Sequence, residues 1–472
     1  MHLSALLDFD AVPLDSDDAV SVLLDITAPE REEDTARPPA TLQVVLDRSG
    51  SMGGSRLEGA VRALRGLVDR LAPSDNFGVV SFDDQARVEI PSGPLTDRAE
   101  AHRRIRALRA GGGTDLSSGL LRGVQEARRA GGERGATLLL ISDGHANQGV
   151  TAHDLLRQVA SDAYAHGVTT TTLGYGLGFD EALLGAVADG GSGSALFAEN
   201  PDTAGGLIAQ EAEYLLAKTA QAVSLRVPVG PRLRAVGVVG EMPSHRLPDG
   251  SVVVELGDFH SGERRRLLLR LEVPGLSSLG TVTVTSLEAT YVDPATLATY
   301  TATLPVTVDV VPGEQAAARV PRPEVRTEES LQRAQTAKRE AGEALRRGDR
   351  GTAADILDRA RRDLGGIAGH GAPPPPDVAA QSAELGLMAE RARTDDASRT
   401  SKTLYASQSG YSRKRGRRQR PADAPGRDGV IRGEQTDRGR PAPDRAPPAA
   451  DGRAPGSPAG PRQDPEPPQA YY

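Results

Sequence analysis

Apolar positions in the first half of the chain recur in two alternating rhythms. Short β-branched runs such as TLQVVL (41–46), FGVVSF (77–82) and ATLLLIS (136–142) have the length of strands buried on both faces. Between them, Leu57, Val61, Leu64, Leu67, Val68 and Leu71 fall at three- and four-residue steps, the pattern of a helix with one apolar stripe. The alternation continues with helices predicted over 97–109, 116–130, 151–165, 180–188 and 202–219, and strands over 168–173 and 194–198. Strands alternating with helices predict a mainly parallel sheet covered by helices on both faces.

After Ala220 the helical period disappears. VSLRVPV, SVVVEL, RRRLLLRLEV, TVTVTSLEATYV and LPVTVDVV read as strands separated by Gly and Pro turns, which predicts a β-sandwich over 220–315. AVSVLLDIT (19–27) has the same character but precedes the α/β unit. The segment 1–36 is therefore expected to add a strand to that sandwich, making the α/β domain of 40–219 an insertion. Helical periodicity returns over 327–365, broken at Gly348-Asp349, and again over 377–393, so a helical hairpin region is predicted at 327–395. From 397 to 472 the chain is rich in Arg, Pro, Gly and Ala and is expected to be disordered.

Composition narrows the chemistry. The 472 residues include no Cys and no Trp, which excludes disulfides, thiolate metal sites and Cys catalysis. Only four basic residues are Lys, at 218, 338, 402 and 414. The segment 397–472 carries 15 Lys and Arg against 8 Asp and Glu, so the net charge of −8 conceals an acidic body and a basic tail. The start lacks a basic region followed by a long apolar run, so no signal peptide is expected. No stretch reaches the roughly 18 apolar residues of a membrane helix, and a cytoplasmic protein is the expectation. The run RKRGRR (413–418) has no aromatic platform or folded nucleic-acid motif beside it, and nucleic acid is not expected as a partner. Ser407, Ser409, Tyr411 and Ser412 are read as tail residues open to phosphorylation.

The candidate chemistry lies at the carboxyl ends of strands, where open parallel sheets bind ligands. The strand 41–46 runs into Asp47-Arg48-Ser49-Gly50-Ser51. GGGTD (111–115) offers Thr114 ahead of a helix, and ISDG (141–144) puts Asp143 after another buried strand. Three hydroxyls and two carboxylates are hard oxygen donors, suited to Mg²⁺ or Mn²⁺. Asp-x-Ser-x-Ser, a Thr in a Gly-rich loop and Asp-Gly after a strand together resemble the metal-ion-dependent adhesion site of von Willebrand factor type A domains. The resemblance covers roughly 41–219. It implies a Rossmann-like fold, Ser49, Ser51 and Thr114 ligating the metal directly, Asp47 and Asp143 acting mostly through water, and a partner protein that presents Asp or Glu to the metal. The wider layout, with flanking strands on either side, is similar to bacterial cytoplasmic proteins of this class.

Enzymatic readings fare worse. A Mg²⁺ phosphatase of the haloacid-dehalogenase type needs a second Asp where Ser49 stands. No Lys follows a Gly as a Walker A motif demands, and no G-x-S-x-G elbow occurs. A scaffold or assembly factor is the favoured reading; a subunit serving an AAA+ ATPase is the alternative, and a Mg²⁺-dependent hydrolase the weakest. The Gly-rich run at 173–188 is read as turn chemistry, and His145 as a solvent-exposed loop residue.

Overall fold

The computed structural model describes residues 1–30, 37–240, 242–366 and 373–414. Its α/β unit is a six-stranded sheet in the order 86–94, 76–82, 41–47, 136–142, 168–175, 192–198. All pairings are parallel except that of Ala86–Pro94, an antiparallel edge strand. The central strand Thr41–Asp47 is buried at every position, as a strand covered on both faces requires. On one face lie helices Ser55–Arg70, Arg98–Ala107 and Pro201–Leu216, packed on Leu42, Val44 and Leu46. On the other lie Leu116–Gly131, His153–Tyr164 and Glu181–Gly190, packed on Val45, Leu138 and Leu140. The fold is the predicted Rossmann-like sheet. The edge strand 86–94 was not foreseen.

Helix Leu116–Gly131 presses its glycines against the sheet. A Cβ at Gly123 would overlap Val45 Cγ2 and lie 3.1 Å from Leu138 Cδ1. Gly123→Ala is accordingly expected to lower stability by about 1–3 kcal/mol, because overpacking outweighs the better helix propensity of Ala. A lower urea midpoint with unchanged slope is the readout.

The chain enters and leaves this unit through a two-sheet β-sandwich. One sheet runs 2–7, 18–27, 264–273, 235–239, the other 244–246, 252–260, 218–227, 280–292, 299–311, 11–13. Asp18–Thr27 pairs antiparallel with Arg264–Val273, Thr27 facing Arg264. The α/β unit is thus inserted between strands of the sandwich, whose core is Val20, Val22, Leu24, Leu225, Val254, Leu269, Leu287 and neighbours. Buried Asp258 joins the two units. It accepts from Thr169 Oγ1 at 3.0 Å and Ala222 N at 3.0 Å, and pairs with Lys218 Nζ at 2.6 Å.

The C-terminal region is four long helices, Pro323–Arg346, Arg350–Gly365, Pro376–Thr394 and Ala397–Lys414. Alanines at 334, 341, 344, 353, 354, 389 and 392 fill much of their core and permit close approach. Here the sequence-based expectation needs correction: disorder does not begin at 397. Ala397–Lys414 is a helix whose buried face includes Thr400, Ser401, Lys402, Leu404, Gln408 and Ser409. Lys402 pairs with Glu181 of the α/β unit at 2.6 Å, and Ser409 Oγ accepts from Ala195 N on its edge strand at 3.0 Å. Lys338, fully buried, donates to Gln381, Glu384 and Ser407, each at 2.9 Å, and so ties three of the helices together. Ser407 and Ser409 are therefore structural groups and not free tail residues. Residues 415–472, most of the expected tail and most of the basic run 413–418, lie outside the described residues, as do 31–36. No helix among the described residues is long and apolar enough to cross a membrane.

Candidate metal centre

The strand order reverses beside Thr41–Asp47. The chain builds outward through 76–82 and 86–94, then returns to place Ala136–Ser142 on the other side of the first strand. Such a switch point leaves a crevice at the strands' carboxyl ends. Asp47 and Asp143 stand there, both fully buried.

Three loops close around the crevice. After Asp47 the chain makes a single turn at Gly50–Met52, anchored by the buried Met52, and Gly54 at φ 74° starts the next helix. The turn is fixed to the Gly-rich loop by Gly50 N donating to Gly112 O at 3.1 Å and Gly111 N to Arg48 O at 2.8 Å. Thr114 N donates to Asn147 Oδ1 at 2.9 Å, while Asn147 N donates back to Thr114 O at 3.1 Å, which ties the second loop to the third. Asp84 braces both through Gly113 N and Gln148 Nε2.

The five predicted residues come together. Ser49 Oγ lies 3.0 Å from Ser51 Oγ, and Ser51 Oγ donates to Asp143 Oδ1 at 2.7 Å. Asp47 Oδ1 accepts from Ser49 N at 2.8 Å and its Oδ2 from Ser142 Oγ at 2.6 Å. A Cβ at Gly144 would sit 3.4 Å from Ser51 Oγ and 3.6 Å from Thr114 Oγ1, so the three loops meet at this glycine.

Burial pushes the Asp47 carboxyl above its ordinary range, and the charge of Asp143 adds to the push, against hydrogen bonds from Ser142 and Ser49. A carboxylate held this way gains from any cation brought close. With three hydroxyls as neutral oxygen donors, the set fits a hard divalent ion. Burial also drives the phenol of Tyr175, at the end of the strand 168–175, up to about 12, so it stays neutral and offers no base here.

Several groups escaped the sequence reading. Ser142, Asn147, Gln148 and Asp84 brace the loops without any spacing signature. Arg56, in the first turn of helix Ser55–Arg70, pairs with Asp143 Oδ2 and donates to Ser51 O at 3.1 Å. Gly176 (φ 75°) follows the strand 168–175, and a Cβ there would lie 3.3 Å from the Arg56 guanidinium. The Gly-rich run therefore seats an arginine as well as turning the chain. His145 is exposed, 4.0 Å from Asp180.

A family model for the von Willebrand factor type A domain matches residues 42–210. Uncharacterized protein sll0103 of Synechocystis sp. is 31% identical over 352 residues, covering 71% of this chain and 81% of that protein. The chain belongs to the von Willebrand factor type A domain family. Uncharacterized protein YfbK of Escherichia coli is 27% identical over 261 residues, 53% of this chain and 45% of its own length. The solved von Willebrand factor type A structure from Catenulispora acidiphila shares the fold at TM-score 0.60 and 17% identity, covering 82% of this chain and 96% of that one. VWA domains are generally interaction modules, and the family is known for metal-dependent protein interactions.

Proposed function

We propose that this VWA protein carries an intact metal-ion-dependent adhesion site, holds one divalent cation there, Mg²⁺ or Mn²⁺, and grips a partner protein through that partner's Asp or Glu carboxylate. Asp47, Ser49, Ser51, Thr114 and Asp143 would hold the ion. The observation that carries the reading is the meeting of three hydroxyls and two fully buried carboxylates at one point on the sheet's switch. When bound, the ion supplies positive charge and an open oxygen-seeking position for a carboxylate. The chain's own groups prepare that position. Ser142 and the Ser49 amide fix the Asp47 carboxylate, Asn147 fixes Thr114, and the packed sheet below keeps water from the floor. The activity is binding and not catalysis, and the sandwich and helices serve a scaffold or assembly role.

Calorimetric titration of Mg²⁺ into the full chain tests this directly. One saturable site is expected, weakened at least about 100-fold by Asp47→Ala with Ser49→Ala, since two of the donor groups are lost. Failure of both Mg²⁺ and Mn²⁺ to bind the folded wild type would sink the proposal.

A further inference from the structure

Resting on the metal reading, we infer that Arg56 sets the charge of the site, weakening the hold on the cation in order to strengthen the hold on the partner's carboxylate.

The inference begins with what each carboxylate oxygen touches. Both oxygens of Asp47 accept from neutral donors, Ser49 N and Ser142 Oγ. Asp143 is different: Oδ1 accepts from Ser51 Oγ, while Oδ2 is ion-paired with the Arg56 guanidinium. The neighbouring Arg48 is engaged elsewhere, by Asp83 and by Arg109 O at 3.2 Å. Asp84 is exposed and accepts from Gly113 N and Gln148 on the outer side of the Thr114 loop. The charges bonded directly within the site are thus two carboxylates and one guanidinium.

That set carries one net negative charge before the ion enters. A divalent cation takes it to one positive charge, and one incoming carboxylate makes it neutral. Without Arg56, the ion alone would neutralise Asp47 and Asp143, and a carboxylate would approach a site with no net charge to meet it. The guanidinium repels the ion and attracts the ligand, both across a partly desolvated crevice where such interactions exceed their value in water.

The placement suits this role. The Arg56 side chain is 38% exposed, so one side rests on Asp143 while another faces solvent at the crevice mouth. Its plane lies over Gly176, where a side chain would crowd it, and Ser51 O takes a further N–H at 3.1 Å. A guanidinium keeps its charge throughout the physiological range, so the setting is permanent.

A two-step titration tests the inference. Mn²⁺ is titrated into wild-type, Arg56→Gln and Arg56→Lys chains by calorimetry. Acetate is then titrated into each Mn²⁺-saturated protein, with the Mn²⁺ electron paramagnetic resonance spectrum as readout. Arg56→Gln is expected to tighten Mn²⁺ and weaken acetate, each by roughly tenfold after allowance for solvent screening. Arg56→Lys, which keeps the charge, should resemble wild type and shows that the site survives substitution. A structural role alone would move both affinities in the same direction, and that result, or no change in either, overturns the inference while leaving the metal site standing. Absence of Mn²⁺ binding to the wild type would instead overturn the metal reading and the inference with it.

Discussion

Lys402→Met is expected to destabilise the protein by about 3–5 kcal/mol, the usual effect of removing one partner from a buried ion pair. Lys402 is 4% exposed and is the cation that meets the buried Glu181, at 2.6 Å; Ser401 Oγ donates to the other carboxylate oxygen at 3.0 Å. Its ammonium also lies 4.5 Å above the Phe179 ring. Burial pushes the Glu181 carboxyl up, but Lys402 and the hydrogen bonds around it hold it below the usual range. Methionine fills the volume and leaves that carboxylate buried without its cation. Protection of amide hydrogens in Ala397–Lys414 should fall first, followed by the urea midpoint. The double variant Lys402→Met, Glu181→Met should recover most of the loss, because two packed apolar groups replace a pair that is costly to desolvate. If the single variant keeps wild-type stability, the helix is held by its other contacts and the ion pair is incidental.

Asp258→Ala should cost a similar amount, about 3–5 kcal/mol, at the junction between the VWA domain and the sandwich. The substitution strands Lys218 Nζ, Thr169 Oγ1 and Ala222 N together. Burial raises the Asp258 carboxyl, yet Lys218 and the hydrogen bonds from Ala222 N and Thr169 Oγ1 bring it below its ordinary value. The sign of the pH effect follows. A carboxyl depressed on folding contributes its full stability above the unfolded value, near about 3.9, and loses it as pH falls through the lower folded value. Between those two values, as pH falls, wild-type stability should therefore drop more steeply than that of Asp258→Ala. Parallel acid profiles in urea melts would show that the pair contributes nothing at this junction.

The parallel sheet and the position of the five candidate residues on the loops at its strand ends were legible because each rests on strong local signals. TLQVVL and ATLLLIS can hardly be anything but buried strands, and DRSGSM and ISDG sit at their carboxyl ends. The edge strand Ala86–Pro94 was not legible: it carries Glu89, Pro91, Ser92 and Gly93, and its pairing with 76–82 is irregular. The helix Ala397–Lys414 failed for another reason. Its buried face is mostly polar, Thr400, Ser401, Lys402, Gln408 and Ser409, so no apolar stripe marks it in the sequence. Those polar groups are acceptable inside because Glu181 and the Ala195 amide wait for Ser401, Lys402 and Ser409, and such partners are visible only in three dimensions. Arg56 belongs to the same class. One more arginine on an arginine-rich helix carries no signal until Asp143 is found beside it.

Insertion of the VWA domain into the sandwich also governs how the chain is born. The pair of strands His2–Leu7 and Asp18–Thr27 is synthesised ahead of the α/β domain, yet the strand that covers its other edge, Arg264–Val273, emerges only after that whole domain. At ribosomal speeds of about 5–20 residues per second, that gap lasts roughly ten to fifty seconds. During it Val20, Val22, Leu24 and Ile26, all deeply buried at the end, have no opposing sheet. The VWA domain can complete its own sheet in that interval. Until then the edge of Asp18–Thr27 that Arg264–Val273 will cover is open to mispairing.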